Sequence, residues 1–176
     1  MPNKDALRDL QLRLASRLQA ARERPRESGW LAVECAGVGL LLPLAQAGEI
    51  QTTQTIAAVP HARRWLAGVA NVRGQLNAVL DLSVFLGLRA ALPPGSPIRQ
   101  GSQLVVMNPL LRVNCALLVD RLAGLRDTDQ LEILPVQDPL RPAFARHQWR
   151  DVKGRVWDEL DLSILVRDPL FLDVSA

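Results

Sequence analysis

The sequence predicts a mainly β protein built from two similar strand-rich lobes, preceded by one amphipathic helix and carrying only short helices elsewhere. Two observations carry that expectation. From Trp30 onward, short β-prone runs alternate with turns that hold Gly or Pro, a texture that favours barrels and sandwiches over helical or parallel folds. In addition, residues 71–86 match residues 151–166 at an offset of 80 positions, sharing a valine, a glycine and the whole Leu-Asp-Leu-Ser string.

The elements follow in order. Lys4 to Arg24 reads as a helix, with Leu7, Leu10, Leu14 and Leu18 on one stripe and Arg8, Arg13, Arg17 and Arg22 on the other faces. Such a helix would be about 30 Å long, and bracing its own domain is the ordinary use of its stripe. Pro25 and Glu27-Ser28-Gly29 end it, so residues 1–28 form a helix and linker and residues 29–176 the domain. Trp30–Cys35 and Leu40–Leu44 flank Ala36-Gly37-Val38-Gly39 as a hairpin. Further strands are expected at Ala67–Val72, Leu76–Leu80, Leu104–Met107, Arg112–Val119, Gln148–Val152 and Val156–Leu160, and short helices near His61–Leu66, Leu82–Leu86 and Ser163–Arg167. The Pro93–Pro97 stretch is a surface loop, since proline cannot donate to a central ladder.

Within each copy of the repeat, the expected form is a hairpin followed by a capped helical turn. Gly74 and Gly154 supply the positive φ of a tight turn. Leu80 and Leu160 end the second strand facing the core. Asp81 and Asp161 then serve as helix N-caps, worth about 1 kcal/mol each. A weaker echo precedes each copy: Leu40–Leu44 before Gly48-Glu49-Ile50 resembles Cys115–Val119 before Ala123-Gly124-Leu125.

Composition excludes several classes. With 176 residues, 48% hydrophobic and 22% charged, the chain is an ordinary globule that buries roughly 70% of its unfolded surface without needing a staple. Cys35 and Cys115 sit apart in apolar runs and read as reduced, buried thiols. No window approaches the roughly 18 apolar residues of a membrane span, and Met-Pro-Asn-Lys-Asp is no signal peptide; the expectation is a soluble, cytoplasmic protein without direct membrane insertion. The net charge is +3, largely arginine scattered along the chain, with no Tyr and few aromatics. That is a poor footprint for nucleic acid.

Enzyme motifs are missing. His61 and His147 have no partner at zinc spacing. Gly37-Val38-Gly39 lacks the third glycine and helix of a dinucleotide site. The Asp158-Glu159-Asp161 cluster lies on a strand that turns alternate side chains to opposite faces. No catalytic residue, metal or cofactor is expected.

The string Pro60-His61-Ala62-Arg63-Arg64-Trp65-Leu66-Ala67-Gly68-Val69-Ala70-Asn71-Val72-Arg73-Gly74, followed by Val79-Leu80-Asp81-Leu82, resembles the core signature of the CheW-like coupling proteins, and Leu117-Leu118-Val119-Asp120-Arg121 resembles their second-lobe pattern. The likeness runs from about Trp30 to Val166. It implies two SH3-like five-stranded β-barrels around a shared core and a non-enzymatic adaptor. The implied partners are a methyl-accepting chemoreceptor cytoplasmic tip and the regulatory domain of a CheA-type histidine kinase, with recruitment to the membrane through receptor arrays. The leading basic helix and the ending from Trp149 to Ser163 are similar to the PilI-like branch of type IV pilus, or twitching-motility, systems. Two departures, Ala47 before Glu49-Ile50 and Gln75 after the hairpin glycine, bear on which receptor is bound.

The resemblance assigns protein binding to Arg73, whose guanidinium can grip carboxylates bidentately. Asn71, Val72 and Gly74 of the same hairpin, with Glu49 and Ile50, are the expected neighbours. Two other readings stand beside the adaptor: a basic β-barrel binding nucleic acid, and a structural assembly subunit without a kinase.

Overall fold

The computed structural model describes residues 29–52, 55–93, 96–136 and 138–175; the helix expected over Lys4–Arg24 lies outside them. Eleven strands form two sheets: β1 (Trp30–Cys35), β2 (Val38–Pro43), β3 (Ala47–Thr52), β4 (Leu66–Val72), β5 (Gln75–Asp81), β6 (Gln103–Met107), β7 (Cys115–Val119), β8 (Arg121–Arg126), β9 (Leu131–Leu134), β10 (Ala145–Asp151) and β11 (Val156–Leu160). The five-stranded sheet runs β3-β6-β7-β5-β4 and the six-stranded sheet β8-β1-β2-β11-β10-β9.

These orders show that the repeat is tandem in sequence but exchanged in space. The β1–β5 series corresponds to β6, β7, β8, β10 and β11, yet each sheet takes its first two strands from one series and its last three from the other. The exchange is sealed by two parallel pairings, β5 with β7 and β11 with β2, in otherwise antiparallel sheets. Neither lobe is therefore a contiguous stretch of chain, and the two barrels fold as one body.

Exchange also explains the apolar runs. Leu31, Val33 and Cys35 of β1, and Cys115, Leu117 and Val119 of β7, point into one core shared by both sheets. Their intervening neighbours fill a smaller core inside each lobe: Trp30 and Ala32 pack with Leu41 and Trp157, while Ala116 and Leu118 pack with Ala70, Val79 and Leu104. A strand buried on both faces cannot alternate, so β1 and β7 read as continuous hydrophobic segments.

Both glycine-tipped hairpins form, and Leu80 and Leu160 are fully buried where they end. Asp81 accepts from the N–H groups of Ser83 and Val84 at the head of the Leu82–Phe85 helix. Asp161 does the same for the Leu162–Leu165 helix. The described part of the Pro93–Pro97 stretch is loop.

Other expectations need correction. No helix forms over His61–Leu66. His61 takes a left-handed φ of 55°, which stops a helix, and the segment pairs instead with the C-terminal tail through the Ala62–Ser175 bridge. The strand expected from Arg112 begins only at Cys115, because Arg112 is itself left-handed after the Pro109–Leu111 turn. β10 begins earlier than expected, at Ala145, and ends at Asp151. β3, β8 and β9 lie outside the expected strands: β8 is half exposed and carries a bulge between its pairings with Ala32 and Val33, and β9 has four residues.

Candidate functional site

The candidate site is the tip of the β4–β5 hairpin together with the facing strand β3. Val72 pairs with Gln75, which leaves a two-residue loop of Arg73 (φ 50°) and Gly74 (φ 83°). Positive φ at both central residues is the type I′ geometry that suits strand twist, and the second position demands glycine. Asn71 secures the turn, its Oδ1 accepting from the Gly74 N–H at 2.8 Å. Arg73 is thus held rigidly by its backbone while its side chain is 75% exposed.

The guanidinium does not float. Its Nη2 lies 2.7 Å from Glu49 Oε1, and Glu49 also accepts from the Gln51 amide on the same strand. β3 and β4 are opposite ends of the five-stranded sheet, so this ion pair spans the seam of the barrel. Lower on the seam, Ala57 and Val69 exchange two 2.8 Å backbone hydrogen bonds. A Cβ at Gly68 would stand 2.2 Å from the Ala57 oxygen, so only glycine allows that closure.

The structure brings Arg73, Gly74, Asn71 and Glu49 together; Ile50, 42% exposed, follows Glu49 on β3, where successive side chains turn to opposite faces. Val72 is a further exception. It is buried, and it braces the tip from inside instead of facing a partner.

A second polar constellation joins residues that the sequence offers separately, Asp81 as a cap and Asp120 within the second-lobe pattern. Asp120, just after β7, accepts from the Ala36 N–H at 2.7 Å and pairs with Arg89 and Arg99 at 2.7 and 2.9 Å. Arg99 also reaches Asp81 at 2.9 Å. The Asp120 carboxyl is held below its ordinary value: burial pushes the other way, but the Ala36 N–H and the two guanidinium groups outweigh it. This network ties Arg89 and Arg99 to the junction between the sheets. Glu34 on β1 is likewise lowered, chiefly by its hydrogen bonds from Arg121, with Arg155 adding to them.

Burial pushes both Cys35 and Cys115 up to about 12, which keeps them as inert thiols. Asp158 faces Arg141 at 2.8 Å, Glu159 faces His147 and Trp149, and Asp161 caps its helix, so the acidic cluster does not converge. Among the described residues no group of three or more His, Cys, Asp or Glu side chains is arranged to hold a metal ion. No helix among them is long and apolar enough to cross a membrane. Many of the scattered arginines are engaged internally: Arg63, Arg89, Arg99, Arg121, Arg141, Arg150 and Arg155 each pair with a carboxylate of the chain.

Comparison with known proteins agrees with this architecture. Residues 29–169 match the model of the CheW-like domain. The chain is similar to Protein PilI of Pseudomonas aeruginosa, with 30% identity over 171 residues, covering 93% of this chain and 89% of that protein. The crystal structure of the scaffolding protein TtCheW from Thermoanaerobacter tengcongensis superposes with a TM-score of 0.65 at 17% identity, covering 84% of this chain and 92% of that one. Exchanged sheets, a shared core and a family match that spans both lobes lead to one assignment: the chain belongs to the CheW-like domain family.

Proposed function

We propose that this protein is a non-enzymatic cytoplasmic adaptor that couples a chemoreceptor-like protein to a CheA-type histidine kinase in the control of type IV pilus twitching motility. The observation that carries the reading is the Arg73–Glu49 pair on a locked turn. A side chain fixed at its backbone and oriented by one carboxylate has less freedom to lose when a partner binds. The single Nη2 contact to Glu49 leaves the rest of the guanidinium fork open to a second acceptor. The pilus assignment rests on the similarity to PilI along nearly the whole chain.

The test is co-capture of a chemoreceptor cytoplasmic tip and a histidine kinase regulatory domain by the wild-type chain and by Arg73→Glu. Wild type should retain both partners. The variant should lose capture while its Tm stays within about 2–4 °C, because an ion pair this exposed contributes at most about 1 kcal/mol. Undiminished capture by the variant, or its unfolding, would overturn the role of Arg73. Failure of wild type to hold either partner would overturn the adaptor reading itself.

A further inference from the structure

The two junctions between the sheets are built on one plan but differ in charge pairing: the acids at the second, Asp161 and Asp168, cap helices and pair with no described arginine. At the first, the tight β1–β2 turn meets the Leu82–Phe85 helix, and Arg89 and Arg99 are answered by Asp120 and Asp81. At the second, the longer β6–β7 connection meets the Leu162–Leu165 helix. Leu110, Leu111, Arg112, Ser163, Val166 and Arg167 line a recess of ≈ 310 Å³ there. Arg112 and Arg167 are both exposed. Neither has an ion pair or side-chain hydrogen bond with a described residue, as the pairs found lie elsewhere. Leu110 at the rim is 83% exposed, and Arg112, left-handed at φ 58°, closes the Pro109–Leu111 turn with its N–H on the Pro109 carbonyl.

From this contrast we infer that the recess is a second binding site, which takes an acidic segment of a partner protein presenting carboxylates beside an aliphatic side chain. Two guanidinium forks suit paired carboxylates, and Leu110, Leu111 and Val166 suit the aliphatic group between them. The chain's own segment 1–28 has the wrong sign, carrying seven Lys and Arg against four Asp and Glu. Like charge at the arginines counts against it as the occupant. The recess is not the Arg73 site and stands independently of the adaptor reading.

Fluorescence anisotropy of a labelled peptide, Gly-Glu-Leu-Asp-Leu-Glu-Gly, titrated with the full chain tests the site. Saturable binding is expected that weakens as salt is raised. It should fall about tenfold or more in the double variant Arg112→Glu/Arg167→Glu, since charge-assisted contacts are lost. The amide analogue Gly-Gln-Leu-Asn-Leu-Gln-Gly should bind at least about tenfold more weakly for the same reason. Leu110→Ser, an exposed position that leaves the fold intact, should weaken binding on its own, whereas Arg73→Glu should leave it unchanged. No saturation at about 1 mM, equal binding by the double variant, or equal binding of the amide analogue would each overturn the site. So would capture of anionic vesicles or oligonucleotides by these arginines in preference to the peptide.

Discussion

The β4–β5 and β10–β11 hairpins look like copies of each other in sequence, yet they close differently. In the first, Val72 faces Gln75 across a two-residue loop. In the second, Arg150 pairs with Val156, and the Asp151 N–H donates a 2.9 Å bond to the Arg155 carbonyl across the three residues Val152, Lys153 and Gly154. The extra loop residue slips the incoming strand by one position, and a one-residue slip turns every side chain over. Val72 is therefore buried and Val152 is 88% exposed. The glycines are equivalent (φ 83° and 81°), but the identical valines before them are not.

The slip decides what each tip can do. At the first, Asn71 serves only the turn and leaves Arg73 to reach across the seam. At the second, Asp151 turns inward, accepting from the Lys153 and Arg155 N–H groups and from the Trp157 indole. Trp157 is buried, with Arg155 stacked 4.5 Å above its ring and Arg126 at 5.3 Å. One hairpin presents an arginine outward; its counterpart uses one to roof a tryptophan.

The largest effect should come from breaking that roof. Trp157→Ala empties the six-stranded lobe of its main side chain, against which Gly39 packs so closely that a Cβ would stand 2.7 Å from the ring. It should cost about 3–5 kcal/mol in urea denaturation. The corresponding Asn77→Ala removes one 3.1 Å hydrogen bond to the Gln75 carbonyl and should cost about 1 kcal/mol. Equal losses at the two positions would mean that the lobes are stabilised alike.

Next come the two caps. Asp81→Ala removes both the cap and an ion pair to Arg99, which is only 22% exposed. Asp161→Ala removes a cap and a 3.0 Å contact from Gln46. The first should cost about 3 kcal/mol and the second about 2 kcal/mol, measured by thermal or chemical unfolding. The reverse order would show that the Arg99 pair contributes nothing.

A smaller, pH-dependent effect comes from acids held by arginines. Asp120 and Glu34 are held below their ordinary values of 3.8 and 4.5. Their contribution is therefore fully present above those values and is lost as pH falls through the lower folded ones. Wild type should lose stability on acidification below about pH 5, and Asp120→Asn should flatten that acid limb while lowering stability at neutral pH. Arg112→Gln, which removes a guanidinium paired with no described acid, should leave the limb unchanged. Parallel acid limbs for wild type and Asp120→Asn would refute the linkage.

Much of this was legible in the chain because local chemistry and global fold agree there. Gly74, Gly154, Asp81 and Asp161 do what glycine and aspartate do at turns and caps, so the repeat announces itself. The exchange of strands was not legible, since hydrophobic runs such as Cys115–Val119 say that both faces are buried without saying by which sheet. β8 escaped because it is half exposed and so shows no apolar run. The hairpin slip escaped because offset alignment counts identities and not loop length. For the site, Arg73 was found by resemblance, whereas Arg99 and Asp120 meet only in three dimensions, 21 positions apart in sequence.

The smallest change in stability should carry the sharpest functional contrast. Arg73 and Lys153 occupy matching positions, one basic residue before each hairpin glycine. Charge reversal at either should cost less than about 1 kcal/mol, because both lie at exposed tips. If tip geometry is what recruits a partner, Arg73→Glu abolishes co-capture and Lys153→Glu does not, since only the first tip pairs its cation with an acid across a barrel seam. Glu49→Gln then discriminates further. It leaves Arg73 charged but unpaired, so capture should weaken by a few-fold and not vanish, the loss being one of orientation. Equal sensitivity of Arg73 and Lys153 would mean that the partner reads net charge over the whole surface, and the two-residue loop would lose its functional meaning.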